Sequence, residues 1–403
     1  MNQPLRVLLV PDVPYWICGT IARAIATHTP GIDATLCSGP VLRALPGLER
    51  YAGHFDLAHF LTPQDANKTI DAFCGRIATV TTIHHVQGAS SMGSVDRADA
   101  VMTASRQWYG RLCESGVDEQ KLAIVPYGIQ AETFRPPAVE EKPAIRAALG
   151  LDPGCFTIGF VGKRSSDAGG RKGTDTFVKG MRVLLGMGHV PQVLIVGPGW
   201  GEFIASLSSS GVQCLWKPFV VGEAEFAALY RAMDVYWCTS TIEGGPVPVL
   251  EAMASGVCCL STQVGMVPEA IRNGENGFLL PFDDAPAFAA CTATLMGDPT
   301  RCASIARAAV TTIINGYRWE QSALHATELY ATAFNNFSNR IDRVSPSTPL
   351  RPWPAAWIAA EERRMTEDFI HDAHHPPGAT GRLWRQIRNS RWVRNWSARI
   401  SLH

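Results

Sequence analysis

The sequence predicts an α/β chain built from two tandem domains, each a doubly wound parallel sheet, with a C-terminal tail of different character. Three observations carry this prediction. Short, nearly uninterrupted apolar strands alternate with helix-length segments from residue 5 to residue 336. Strands that are apolar throughout are covered on both faces, as in parallel sheets. The rhythm breaks once, at a proline- and charge-rich stretch without a strand, "FRPPAVEEKPAIRAALGLDPG" (134–154), and then restarts. Finally, 403 residues are too many for one ordinary domain and sufficient for two.

In the first domain, "LRVLLV" (5–10) leads into a helix through "CGTIARAIATH", which stops before Pro30 and Gly31. Strands follow at "DLAHFL" (56–61), "RIATVTTIHH" (76–85) and "DAVMTAS" (99–105), then a helix through "QWYGRLCESG" and a strand within "KLAIVPYGI" (121–129). The second domain reads as strands at "FTIGFVG" (156–162), "QVLIVG" (192–197), "VQCLWKPF" (212–219), "DVYWCTS" (234–240), "VCCLST" (257–262) and "GFLLPF" (277–282). Helices over 285–297, 299–315 and 319–336 are predicted to close it. The domains are therefore residues 1–137 and 155–336, with a linker at 138–154 and a Pro-rich linker and basic tail at 337–403. Two such sheets in tandem predict a ligand crevice at the carboxyl ends of their strands.

Composition removes several classes. Lys plus Arg equals Asp plus Glu at 36 each, so no global field recruits nucleic acid. The eleven cysteines are odd in number and include no C-x-x-C pair, which favours reduced core thiols over a disulfide framework or a zinc site. No apolar run approaches the ~20 residues of a spanning helix, and the N-terminus lacks the pattern of a signal peptide, so a cytoplasmic location is expected.

The chemistry concentrates in "TSTIEGGPVPVLEAMASG" (239–256), where Glu243 and Glu251 flank a strand–turn–helix junction. Pro246 suits a first helical turn, and Gly256 suits a stop. Unpaired N–H groups and the positive helix end around Val247 predict an anion site, and Gly244 and Gly245 predict close approach of a ligand to the backbone. Glu243 is predicted at the crevice edge and Glu251 about two turns deeper. Two carboxylates beside a phosphate site suit hydroxyl groups, a ribose for one and a hexose for the other.

Taken with its surroundings, this stretch resembles the E-x7-E signature of retaining GT-B glycosyltransferases of family 4 (glycosyl transferases group 1), as Glu243-x7-Glu251 followed by "EAMASG". The resemblance continues through "FVGKRSSDAGGRKGTD", "VLIVGPGWGEF", "STQVGMVPEAIRNGENGFLLPFDD" and "YRWEQSALHATELY". In the first domain it extends to "DLAHFL" and "LAIVPYGIQAETFRPP". It covers residues 5–334 and is strongest over 156–330.

The resemblance implies two Rossmann-like domains and transfer of a hexose from a UDP- or GDP-sugar, with retention of configuration and without a metal or other cofactor. The acceptor would be a glycan, a lipid-linked glycan or a related molecule. By the same resemblance, Glu243 contacts the donor hexose and Glu251 the ribose. Lys163 and Lys172 neutralise the departing diphosphate, with Gly162 in the same element. Arg164 follows Lys163 where the family has an arginine after the glycine, so either cation could be in register. Gly19 matches the family's glycine loop between the first strand and helix, and His84 a histidine near the sugar. A non-catalytic or epimerase-like nucleotide-sugar-binding protein is the alternative; a hydrolase is disfavoured because the glutamates straddle a phosphate-binding helix start.

Two rival motifs fail. "GPGWG" lacks G-x-G-x-x-G spacing, and "GGRKGT" lacks the G-K-[ST] order of a P-loop. "HDAHH" (371–375) has metal-like composition without distant partner ligands. The tail "RLWRQIRNSRWVRNWSARISLH" (382–403) carries six arginines and three tryptophans without an acid. It fits either peripheral contact with the inner face of an anionic membrane or docking of its tryptophans on the protein itself.

Overall fold

The computed structural model describes residues 3–86, 92–138, 140–164, 170–340, 344 and 350–374. They form two compact units. The first combines the chain up to Pro126 with the chain from Trp319 onward; the second is Tyr127–Arg318.

The first unit is a six-stranded parallel sheet. Its strands are β1 (Leu5–Val10), β2 (Ile32–Leu36), β3 (Leu57–Phe60), β4 (Ala78–Thr82), β5 (Ala100–Thr103) and β6 (Leu122–Ile124), in the order β2-β1-β3-β4-β5-β6. The chain starts at β1, adds β2 on one side, and then fills the other side from β3 onward. The loops after β1 and β3 therefore diverge at one switch point. β2 is absent from the sequence prediction; it is an edge strand, its residues are only partly buried, and "IDATL" lacks the continuous apolar run of its neighbours. The sheet is covered by α1 (Ile17–His28), α2 (Gly39–Arg43), α3 (Pro63–Thr69) and α4 (Arg106–Glu114). Thr62 and Ser105 cap α3 and α4 by accepting from the amides of Asp65 and Trp108.

Two helices from the end of the chain complete this unit. α13 (Trp319–Ser338) was predicted to close the second domain, but it lies on the first sheet. Its buried residues Trp319, Ala323, Ala326, Tyr330, Ala333 and Phe337 recur at helical spacing. Polar bonds fix the seat: Tyr330 Oη lies 3.1 Å from Nδ1 of the fully buried His59, Asn336 donates to the Asp99 carbonyl (2.9 Å), and Ser322 donates to the Pro126 carbonyl (2.6 Å). α14 (Ala355–His374), assigned from sequence to the tail, also packs here. Ile358 is buried in the first core, the Glu362 carboxylate accepts from the Ser38 amide (2.6 Å), and Phe369 stacks on Tyr15 with ring centroids 4.2 Å apart.

The second unit begins with a further departure. Residues 138–154, predicted as a linker, contain α5 (Glu141–Ala148), whose Lys142 and buried Arg146 both bond the carboxylate of Asp234, at 2.7 and 2.5 Å. A charge pair this close holds the segment to the unit. The sheet comprises β7 (Thr157–Val161), β8 (Gln192–Val196), β9 (Cys214–Lys217), β10 (Val235–Cys238), β11 (Cys258–Thr262) and β12 (Phe278–Leu280), in the order β12-β11-β10-β7-β8-β9. Its helices are α6 (Thr174–Gly186), α7 (Gly201–Ser209), α8 (Glu223–Ala232), α9 (Val247–Ala254), α10 (Val267–Ala270), α11 (Ala285–Gly297) and α12 (Pro299–Gly316).

β7 and β10 are neighbours, yet the chain leaves them toward opposite edges. The loops that follow them open at the switch point of this sheet. Beneath lies an aromatic core of Phe160, Phe177, Trp200 and Trp237. Each indole N–H here has a partner, as buried tryptophan requires. Trp200 donates to the Gly162 carbonyl (2.8 Å) and Trp237 to Thr292 Oγ1 (3.0 Å).

Candidate functional site

The loops after β7 and β10 bind each other before they bind anything else. Thr239, at the end of β10, donates from Oγ1 to the carbonyls of Lys172 (3.1 Å) and Gly173 (2.7 Å), and the Thr241 amide donates to the Arg171 carbonyl (2.8 Å). Gly173 has φ +59°, and a Cβ there would stand 1.7 Å from the Thr239 carbonyl oxygen. No other residue allows this approach. The consequence is a fixed position for the side chains on either side.

Glu243 lies in this seam. It is 7% exposed, and its carboxylate accepts from Lys172 Nζ (2.7 Å), Arg171 Nη1 (3.0 Å) and Ser240 Oγ (3.1 Å). Burial alone would push this carboxyl up, but the charges of Lys172 and Arg171 outweigh burial and hold it below the usual carboxylate range. Glu243 is therefore an anion at neutral pH. Lys172 was predicted from the sequence; its neighbour Arg171, within the same "GGRKG", was missed.

Glu251 is the fifth residue of α9, one turn from its start. It is only partly buried, so the predicted order of depth is reversed: Glu243 is the enclosed carboxylate and Glu251 the reachable one. Two turns of sequence do not translate into two turns of depth, because Lys172, Arg171 and Ser240 close around Glu243. Burial raises the Glu251 carboxyl to about 7, against the opposing hydrogen bond from Tyr230 Oη, which donates to Oε2 at 3.0 Å.

Two predictions for the junction need correction. The N–H groups at the start of α9 are not open: the Val247 amide donates to the Gly245 carbonyl and the Val249 amide to the Pro246 carbonyl, both at 2.8 Å, while Pro248 has no N–H. Val247 is itself buried. The Gly-Gly turn is also explained without a ligand at Gly245, since a Cβ there would lie 2.6 Å from Met266 Sδ and 2.7 Å from the Tyr127 ring. Tight packing by the protein itself already requires the glycine. Gly244 is similarly enclosed, its carbonyl oxygen 2.2 Å from where a Cβ on Gly265 would stand.

The other cations divide by role. Lys163 is exposed, whereas the Arg164 guanidinium lies against aromatic rings, 5.8 Å from the Trp200 centroid and 5.9 Å from that of Phe203. The Arg164 amide donates to the Pro198 carbonyl (2.9 Å). Together with the Trp200–Gly162 bond, this ties the Gly162–Arg164 stretch to the β8 loop.

His84 and Gly19 belong to the first unit. His84 Nε2 donates to the Leu61 carbonyl (2.7 Å), with Cys18 Sγ 3.4 Å from the same nitrogen. Burial lowers its pKa to about 4, so the imidazole is neutral at pH 7. A Cβ on Gly19 would lie 2.3 Å from the Pro14 carbonyl oxygen, so close approach of the Val13–Pro14 loop, not of a ligand, requires this glycine. Asp12 beside it is raised to about 6 by burial.

Among the described residues no three His, Cys, Asp or Glu side chains come together as metal ligands, and no helix is long and apolar enough to cross a membrane. His371 lies on α14, and the basic stretch 382–403 lies outside the described residues.

Known proteins share this architecture. HepE from Anabaena, solved in complex with UDP and glucose, superimposes with a TM-score of 0.67 over 81% of this chain and all of its own, at 16% identity. The fold is that of the GT-B glycosyltransferases. Residues 155–298 match the family described as Glycosyl transferases group 1. That segment contains both glutamates and the lysines. It is 29% identical over 216 residues to a D-inositol 3-phosphate glycosyltransferase of Segniliparus rotundus, covering 51% of this chain and 46% of the relative. It is also 29% identical over 217 residues to the lipopolysaccharide core biosynthesis mannosyltransferase LpsB of Rhizobium meliloti, covering 51% and 60%. The chain thus spans about half the length of these curated relatives.

Proposed function

We propose that the protein is a retaining hexosyltransferase that uses a UDP- or GDP-sugar. The observation that carries this reading is Glu243: an ionised carboxylate enclosed between Lys172 and Arg171 at the switch point of the second sheet, eight residues before a reachable Glu251. Breaking the bond between sugar and diphosphate builds negative charge on the leaving group and positive charge on the anomeric carbon. Lys172, with Lys163, meets the first charge, and Glu243 faces the second. Fixed charges of both signs beside a dividing bond stabilise its transition state more than its ground state.

In this reading Glu251 accepts from the donor ribose. The backbone of Gly162, Gly244, Gly245 and Pro246, with Val247, shapes the donor site, and Arg164 supports Lys163. On the first unit, the loop at Gly19 and the neutral His84 are assigned to the acceptor, with the His84 imidazole as a hydrogen-bonding group. The chemistry asks for no metal, because the cations that meet the leaving charge are side chains. The relative named for lipopolysaccharide core biosynthesis supports a glycan or lipid-linked acceptor, and the one named for D-inositol 3-phosphate supports a small phosphorylated polyol instead. A protein acting on such acceptors from the cytoplasm would gain from membrane contact by its basic 382–403 tail.

A nucleotide-release screen across UDP-, GDP- and ADP-sugars, with Glu251→Ala as control, tests this reading. Nucleotide release that Glu251→Ala abolishes is expected. Failure of every nucleotide sugar to bind refutes it, and binding without transfer to any glycan pool leaves the non-catalytic or epimerase-like alternative.

A further inference from the structure

Tyr230 gives Glu251 a fixed partner that nothing in the junction motif announces. It projects from α8, is fully buried, and donates its hydroxyl to Glu251 Oε2 at 3.0 Å. Its ring has little freedom to swing that hydroxyl away. Phe134 meets it edge-on at 6.1 Å, Tyr236 at 6.0 Å, and Phe226 stacks on it at 6.3 Å. Burial raises the phenol well above its ordinary value, so it remains a donor throughout the working pH range. A carboxylate offers about four acceptor positions on two oxygens. With one of them on Oε2 taken by a rigid donor, that oxygen is anchored and the swing of the carboxylate is restricted. Glu251 also remains partly exposed.

We propose that Tyr230 is a positioning residue that holds the Glu251 carboxylate in the orientation needed to accept from a vicinal diol, making the site selective for ribonucleoside over dideoxyribonucleoside diphosphates. The inference rests on the reading of Glu251 as the ribose contact. Without the tyrosine, the flexible glutamate side chain must lose rotamer freedom when the ligand binds, and that cost falls on the diol contact alone. The other ionisable groups that act on Glu251 are Glu223 on α8 and Tyr236 on β10, neither of them a cation. Tyr230 is thus the residue that favours the ionised, accepting form.

The test is calorimetric binding of UDP and GDP, and of their 2′,3′-dideoxy forms, to the full chain and to Tyr230→Phe and Glu251→Gln. Tyr230→Phe keeps the packed ring and removes only the hydroxyl. For whichever base binds, it should lower the preference for ribose about tenfold, as expected for one lost hydrogen bond to a charged group. It should also move the pH midpoint of binding upward. General damage to the fold would weaken both sugars alike and leave their ratio unchanged. The inference is overturned if Tyr230→Phe keeps the wild-type ratio while Glu251→Gln loses it. If Glu251→Gln also keeps the ratio, it is the assignment of Glu251 to ribose that falls, and the inference with it.

Discussion

Replacing Glu243 by glutamine removes a charge and turns the oxygen that accepts from Arg171 into an amide donor. The amide can still accept from Ser240 and Lys172, but two cations lose their counter-ion. Their side chains are about a third exposed, 33% for Arg171 and 28% for Lys172, against 9% for Glu243, so water recovers part of the loss. Truncating one member of a buried charge pair costs about 2–5 kcal/mol, and the partial exposure places this case near 2 kcal/mol. At about 2–4 °C per kcal/mol for a unit of this size, the melting temperature should fall by roughly 4–8 °C. Because the native carboxyl sits below its ordinary range, its stabilisation is present at neutral pH and is lost on acidification. The gap between wild type and variant should therefore narrow below about pH 4. Turnover should suffer far more, by about 10²–10³-fold if Glu243 stabilises the developing positive charge, while nucleoside diphosphate should bind at least as well to cations freed of their internal partner. Differential scanning fluorimetry, calorimetry with the diphosphate and nucleotide-release rates separate these effects. Normal turnover in a variant that melts lower, or diphosphate affinity that falls with turnover, would refute the assignment of Glu243 to the sugar.

Three further predictions come from neighbouring groups. A Glu251 carboxyl raised to about 7 is favoured in its neutral form, so its contribution falls as pH rises from the ordinary carboxylate range through 7; Glu251→Gln should stabilise the unliganded protein more at pH 8 than at pH 5, read as the difference in melting temperature. Asp234→Ala would strand the buried Arg146 and leave the Thr157 amide without its 2.8 Å acceptor, at a cost of about 3–5 kcal/mol, visible in urea titrations as an earlier midpoint. Gly173→Ala forces a side chain into the Thr239 carbonyl and should abolish turnover by displacing Lys172, while Lys172→Arg, which leaves that seam intact, should retain part of it in the same nucleotide-release assay.

Local pattern and long-range partnership were unequally legible in the sequence. Strands such as Val235–Cys238 and Gln192–Val196 stood out because burial on both faces writes itself as a continuous apolar run. The helix after Trp319 was also legible as a helix, but an apolar stripe states only that something covers it. Which sheet does so is decided by Tyr330 meeting His59 and Asn336 meeting Asp99, pairs more than two hundred residues apart. The same holds in the site. Glu243, Glu251 and Lys172 sit in recognisable strings, whereas Tyr230 lies in a helix whose sequence says nothing of the carboxylate it will reach. The depths of the two glutamates are hidden from the sequence for a related reason: a rise per residue along a helix does not reveal what folds over it.

The return of the chain to its first sheet has a consequence for how the molecule can be taken apart. The segment Tyr127–Arg318 is an uninterrupted insert whose two ends already meet: Ile129 bridges Arg318 and donates its amide to the Tyr317 carbonyl at 2.9 Å. Entry and exit are thus stitched together within the insert itself. The second unit could be cut from the gene as one continuous cassette, whereas the first exists only as two pieces of chain that must find each other after the cassette between them has been made.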